Sequence, residues 1–207
     1  MSPDTLTAAV TVRRLLAALC ALIAATAIAA CGDHHPHLSG LAPHVQSSAD
    51  ENNDGGYVDA GPITYQLQIS RELNQYSPED SAYVKGLPSG VSTGLGPTEL
   101  WYGVFLWAKN QTNQPQTTSD NFKITDTQGN TYYPVKLDTA VNPFAWTAQS
   151  LAPLETEPKP NTPMSDSPTQ GGLLLFKVPT TVYSNRPLTF YILGTNNEKL
   201  GSISLNL

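Results

Sequence analysis

The side chains best suited to bind a metal or form a covalent bond are crowded into the first quarter of this chain. All four histidines (His34, His35, His37 and His44) and both cysteines (Cys20 and Cys31) precede residue 45. Imidazoles spaced as in Asp33-His34-His35-Pro36-His37 can capture copper, zinc or nickel. Zinc sites, however, hold their ligands on ordered elements, and the Gly-, Asp-, Ser- and Pro-rich surroundings offer none, so a solvated linker is the competing reading. From residue 45 onward there is neither imidazole nor thiol. A Ser-His-Asp triad, a cysteine nucleophile or a cupredoxin copper site therefore has nothing to be built from there, which implies no resident cofactor and no catalysis of those kinds. Glu99, Asp126, Glu155 and Glu157 leave a two-carboxylate glycosidase site formally open, although no spacing favours it. Glu79 and Asp80 are adjacent acids in what reads as a first helical turn, where the helix dipole accounts for them without catalysis. Beyond residue 31 there is no Gly-x-Ser-x-Gly elbow, His-Glu-x-x-His, phosphate-binding Gly-Lys-Ser/Thr loop or dinucleotide fingerprint.

Cys31 has its own context. Arg13 and Arg14 precede an apolar run over residues 15–30, the pattern of a signal peptide. The run is about sixteen residues, short of the roughly twenty needed to cross the hydrocarbon core. Ile28-Ala29-Ala30-Cys31 resembles the lipobox of bacterial lipoproteins. That resemblance implies cleavage before Cys31, acylation of its sulfur and attachment to the extracytoplasmic face of a bacterial membrane. Several acyl chains, at about 0.8 kcal/mol per buried methylene, make such attachment effectively permanent. The alternatives are secretory cleavage after Ala30 that leaves a free thiol, and twin-arginine export through Val12-Arg13-Arg14-Leu15-Leu16. Because Cys20 falls in the removed part, no internal disulfide can form, and the core alone must hold the mature domain together.

The chain therefore reads as a signal peptide over residues 1–30, a tether over residues 31–61 and a folded domain over residues 62–207. The tether is poor in large apolar residues and carries Asp33, Asp50, Glu51, Asp54 and Asp59 without Lys or Arg. As a flexible coil its reach is on the order of 30 Å. It accounts for much of the formal net charge of −6, and with the lysines scattered singly, nucleic acid is disfavoured as a partner.

Within the domain, Ile63, Tyr65, Leu67 and Ile69 alternate with polar residues, as in a half-buried strand. Ser77-Pro78-Glu79-Asp80, with Gly86 as a stop, predicts one short helix over residues 78–85. Leu100-Trp101-Tyr102-Gly103-Val104-Phe105-Leu106-Trp107-Ala108 is apolar on both faces and predicts a central strand. Residues 110–120 read as a polar loop. Phe122 and Ile124 lead through Asp126-Thr127-Gln128-Gly129-Asn130 to Tyr132-Tyr133-Pro134-Val135, a hairpin whose Pro134 sits on an edge or at a bulge. Residues 173–178, 188–193 and 200–207 make three more strands. Residues 138–172 contain six prolines (143, 153, 158, 160, 163 and 168), which exclude a long helix. There Phe144 and Trp146 either anchor the segment on the core or offer a ligand or partner surface. Arg186, between Asn185 and Pro187, reads as a structural ion pair or backbone clamp.

About seven short strands with turn signals between them predict an all-β, immunoglobulin-like antiparallel sandwich. The runs Glu99 to Phe105 with Asn110, Phe122 with the 126–130 turn, Leu173-Leu174-Leu175-Phe176-Lys177-Val178-Pro179 and Asn185-Arg186-Pro187-Leu188 resemble uncharacterised bacterial lipoproteins carrying an extracytoplasmic immunoglobulin-like domain. These are similar in fold to the mycobacterial secreted immunoprotective antigen. The resemblance implies a fold, a location and a non-catalytic role toward an envelope protein or polymer, but brings no catalytic residues. A metal-scavenging lipoprotein acting through the histidine tether is the alternative.

Overall fold

A strand that is apolar on both faces can be buried only if each face is covered, and Glu99–Asn110 (β4) meets that demand in full. The computed structural model describes residues 48–49 and 56–205. In chain order the other strands are Ser48–Ala49 (β1), Tyr57–Ala60 (β2), Ile63–Leu73 (β3), Gln116–Thr117 (β5), Asn121–Thr125 (β6), Thr131–Tyr132 (β7), Pro134–Val135 (β8), Ser150–Leu151 (β9), Thr156–Glu157 (β10), Gly172–Pro179 (β11), Leu188–Leu193 (β12) and Lys199–Leu205 (β13). One sheet has the order β2-β3-β4-β11-β8, with β10 also on β4, and the other β1-β13-β12-β6-β7; β5 and β9 pair separately. Apart from the parallel β1–β13 pairing, the strand pairs are antiparallel. The result is the expected all-β sandwich, in which seven of the strands have four or more residues.

Alternation along β4 divides its side chains between two cores. Leu100, Tyr102, Val104, Leu106 and Ala108 point between the sheets and meet Tyr65, Phe122, Phe176 and Phe190. Trp101 and Phe105 point outward, where Leu73, Tyr83, Leu173 and Leu175 pack with them. Parts of residues 83–95 and 135–144 cover this outer face, contributing Val84, Leu87, Val91, Leu137 and Phe144. Gly103 lies between the two outward aromatics, where an added Cβ would come within 3.0 Å of both Leu73 and Phe105.

Four expectations need correction. The predicted helix over residues 78–85 is a single 3-10 turn, Asp80–Ala82. Asp80 is explained by an ion pair rather than by a helix dipole. Asp80 takes two bonds from Arg71, of 2.6 and 3.0 Å, and one from the Asn74 amide, fastening the turn to the end of β3. The four-residue α-helix, Pro163–Asp166 (α1), lies instead inside the proline-rich segment, with Pro163 as its first residue. The tether also ends earlier than residue 61, because Tyr57–Ala60 pairs with β3 and buries Val58 and Ala60. Finally, the hairpin beginning at Phe122 splits between the sheets: β7 pairs with β6, but after Tyr133 the chain passes to the other sheet, where β8 pairs with β11. Pro134 accordingly sits on a sheet edge, where its missing N–H costs nothing.

Candidate functional site

The proline-rich segment is held in place by buried polar side chains. Asn110, wholly buried at the end of β4, donates from Nδ2 to the carbonyls of Gln114, Leu151 and Ala152 at 2.8–3.1 Å. Its Oδ1 accepts from the Thr112 amide and hydroxyl. Asn142, also wholly buried, donates to the carbonyls of Tyr83 and Lys85 and accepts from the Phe144 amide. A primary amide suits both positions because it satisfies several backbone groups that no ladder reaches. Between these staples the chain runs beside the start of β11, with the Trp146 amide bonded to the Leu173 carbonyl and the Leu173 amide to Phe144.

Phe144 and Trp146 part company. Phe144 is half-buried on the outer face, with its ring 4.9 Å from Tyr83 at 73°. The Trp146 ring enters the core between the sheets, 5.8 Å from Phe122 at 88°, and its indole N–H donates to the Ser119 carbonyl at 2.8 Å. Gly172 makes room for it, since an added Cβ would stand 2.6 Å from the indole. The edge of Trp146 borders a cleft of about 670 Å³ that is also lined by Asp120, Tyr133, Lys136, Asp138 and Leu173. A neighbouring cleft of about 560 Å³ is lined by Tyr65, Thr118, Asn121, Ala148 and Leu193. Both are lined by apolar and polar side chains together.

The carboxylates do not form a catalytic pair from Glu99 and Glu157. Glu99 opens β4, whereas Glu157 pairs with Ala108, nine residues along, about 30 Å of strand away. Lys177 and the Gly96 amide hold Glu99 below the usual carboxylate range. The Ala152 amide and Lys159 do the same for Glu155. Asp126 accepts from the amides of Gln128 and Asn130, the side chains of Asn130 and Asn185, and the Tyr132 hydroxyl. Burial works against its ionisation, but those bonds outweigh it and keep Asp126 charged well below the ordinary range. Asp126 is the pivot of its turn. Arg186 is a backbone clamp, donating from Nε to the Tyr183 carbonyl at 2.8 Å.

Glu157 stands apart. It is wholly buried on the inward side of β10, where Oε2 accepts from the Thr118 hydroxyl at 2.9 Å and Oε1 has no hydrogen-bond partner. Burial pushes its carboxyl up to about 7, although the Gln149 and Thr118 side chains act to lower it. Gln149 thus lies near without reaching hydrogen-bond geometry to Oε1. Nothing in the local sequence marks Glu157, Thr118 or Asn142 for these roles. Asn110 alone had a signal, a polar residue ending an apolar strand.

Cys31, His34, His35, His37 and His44 lie outside the described residues. Among the described residues no group of three or more His, Cys, Asp or Glu is placed to hold a metal, and no helix is long and apolar enough to cross a membrane.

Fold and site together define the class: a mainly antiparallel β-sandwich with clefts between its loops. No protein-family model matches the chain, and no curated protein matches it in sequence. Solved structures with a similar course of chain include the yjhA protein of Bacillus subtilis, at 10% identity and a TM-score of 0.43, covering 73% of this chain and 97% of that one. Another is an uncharacterised β-sandwich protein of Clostridium difficile, at 14% identity and a TM-score of 0.38, covering 80% and 100%. A third is ycdA of Bacillus subtilis, described as a candidate lipoprotein, at 11% identity and a TM-score of 0.42, covering 73% of this chain and 38% of that one.

Proposed function

We propose that this chain is a lipid-anchored, extracytoplasmic, non-catalytic module that binds a protein or polymer of the bacterial envelope. Cys31 is the acylated residue and the histidine-rich stretch a spacer between the membrane and the sandwich. In the same reading the domain is a relative of extracytoplasmic immunoglobulin-like lipoprotein domains, with the mycobacterial secreted immunoprotective antigen among the folds it is expected to match. One observation supports the non-catalytic part: Glu99, Asp126 and Glu155, exposed or not, are each committed to intramolecular bonds. In this reading the rim of the cleft beside Trp146 is the recognition surface.

The test has two arms. Cys31→Ser abolishes incorporation of labelled palmitate and releases the domain from the membrane fraction; survival of both would remove the anchor. A photo-crosslinking residue at the exposed Tyr133, on the cleft rim, yields a discrete adduct in cells that the same residue at Tyr57 does not. Equal adducts from both positions would remove the cleft as the binding surface.

A further inference from the structure

Glu157 is a buried acid that no part of the proposed function uses. Its position on a two-residue strand at a sheet edge makes its protonation consequential. We propose that Glu157 is a proton-operated latch: neutral, it closes residues 147–160 against β4 and Thr118, and ionised, it lets that segment loosen and widens the cleft beside Tyr65.

The geometry contains a hydrogen-bond relay that fits the neutral acid. The Thr118 hydroxyl is 2.9 Å from Glu157 Oε2 and 3.5 Å from the Gln149 carbonyl, and it accepts from the Gln149 amide at 3.1 Å. With a proton on Oε2, the carboxyl donates to Thr118 Oγ1, and the threonine hydrogen turns toward the Gln149 carbonyl. Ionised, the carboxylate takes the threonine hydrogen and leaves a charge in the core whose Oε1 meets no donor. An uncompensated buried charge is among the costliest features a fold can hold. What it works against is local: β10 pairs through two residues, β9 meets β5 through two more, and Asn110 bonds the Leu151, Ala152 and Glu155 carbonyls.

Lys159 lends some favourable charge to the ionised form, but among the described residues no ion pair reaches Glu157. From β3 comes Tyr65, whose hydroxyl accepts from the Ser119 amide and which burial, together with Glu157 itself, keeps protonated. From β4 the register partner is Ala108, and Lys109 pairs with Thr156 on the opposite side of the strand. Residues 116–119 bring Thr118, and residue 149 brings Gln149. Within the segment Lys159 is bound to Glu155 at 3.1 Å.

The carboxyl holds its proton to about 7 when closed, against an ordinary value of 4.5. Closure is therefore complete below the lower value, weakens as pH rises between the two, and stays weakest above about 7. Amide hydrogen exchange on the full chain tests this, read as protection factors so that the intrinsic pH dependence cancels. Protection of the Thr118, Gln149 and Asn110 amides falls at least about tenfold between pH 5 and pH 8, while that of the β4–β11 amides holds. Glu157→Gln, which mimics the neutral acid, flattens the profile at the protected level. A flat wild-type profile, or an undiminished pH dependence in Glu157→Gln, overturns the latch. Should the variant fail to fold, carbon-detected NMR titration of the Glu157 carboxyl in the unaltered chain decides the matter: a midpoint near 7 supports the latch, and one near 4.5 refutes it.

Discussion

The side-chain amide of Asn110 reaches the carbonyl of Leu151 at 3.1 Å across 41 residues of sequence, tying the end of the central strand to the middle of the proline-rich segment. Prolines deprive that segment of the donors and the helical turns that would order it locally. Its backbone carbonyls must then be satisfied from elsewhere, and a buried primary amide with two donors and two acceptor lone pairs can serve several at once.

Asn110→Asp keeps the shape but turns an acceptor toward three carbonyls that need a donor. It is expected to destabilise the domain by roughly 2–4 kcal/mol, at least as much as Asn110→Ala. Urea unfolding checks this; a loss below about 0.5 kcal/mol would mean that water replaces the amide readily.

Trp146→Ala removes a core ring and the bond to Ser119 together, with an expected cost of about 3–5 kcal/mol. Trp146→Phe retains most of the packing and gives up about 1 kcal/mol for the lost indole bond. Gly172→Ala forces the indole aside and flattens the near-UV circular dichroism of this tryptophan. Equal stabilities for the two Trp146 variants would contradict the core role.

Asp126 carries a testable pH dependence. Its folded carboxyl titrates below the ordinary 3.8, so its contribution is present above that value and is lost as pH falls through the lower folded one. Asp126→Ala should therefore melt well below the parent at pH 7, with the gap narrowing in strong acid. A gap that is constant from pH 7 to pH 2 would show that packing, not charge, sets the role of this side chain.

The histidine stretch is expected to act as spacer only. Equilibrium dialysis of a peptide covering residues 32–61 should show no copper or zinc binding below millimolar metal, and deletion of residues 32–44 should leave cellular metal content unchanged. Micromolar binding, with loss of metal content on deletion, would shift the function to the tether.

Much of the architecture was legible in local pattern. Leu100 to Ala108 is apolar at consecutive positions, and only a strand covered on both faces can bury such a run. The alternation from Ile63 to Leu67 likewise specifies one buried face, although a register shift before Ile69 turns that residue to the outer core, and the six prolines of residues 138–172 exclude a long helix. Where local rules competed with tertiary packing they lost. Pro78 and its neighbouring acids suit a helix, yet Arg71 captures Asp80 and leaves one 3-10 turn. The 122–135 hairpin reads as one unit but divides after Tyr133, because β11 offers an unpaired edge to Pro134 and Val135.

The sequence by itself determined the layered β-architecture and the central strand, since each depends on residue types a few positions apart. The tertiary structure alone decided that Trp146 enters the core while Phe144 stays on the outer face, and that Asn142 fastens to Tyr83 across 59 residues. It alone decided, too, that Glu157 is buried beside Thr118, 39 residues away. The physical reason is that burial and hydrogen bonding of a polar side chain are set by whichever distant backbone the fold brings against it.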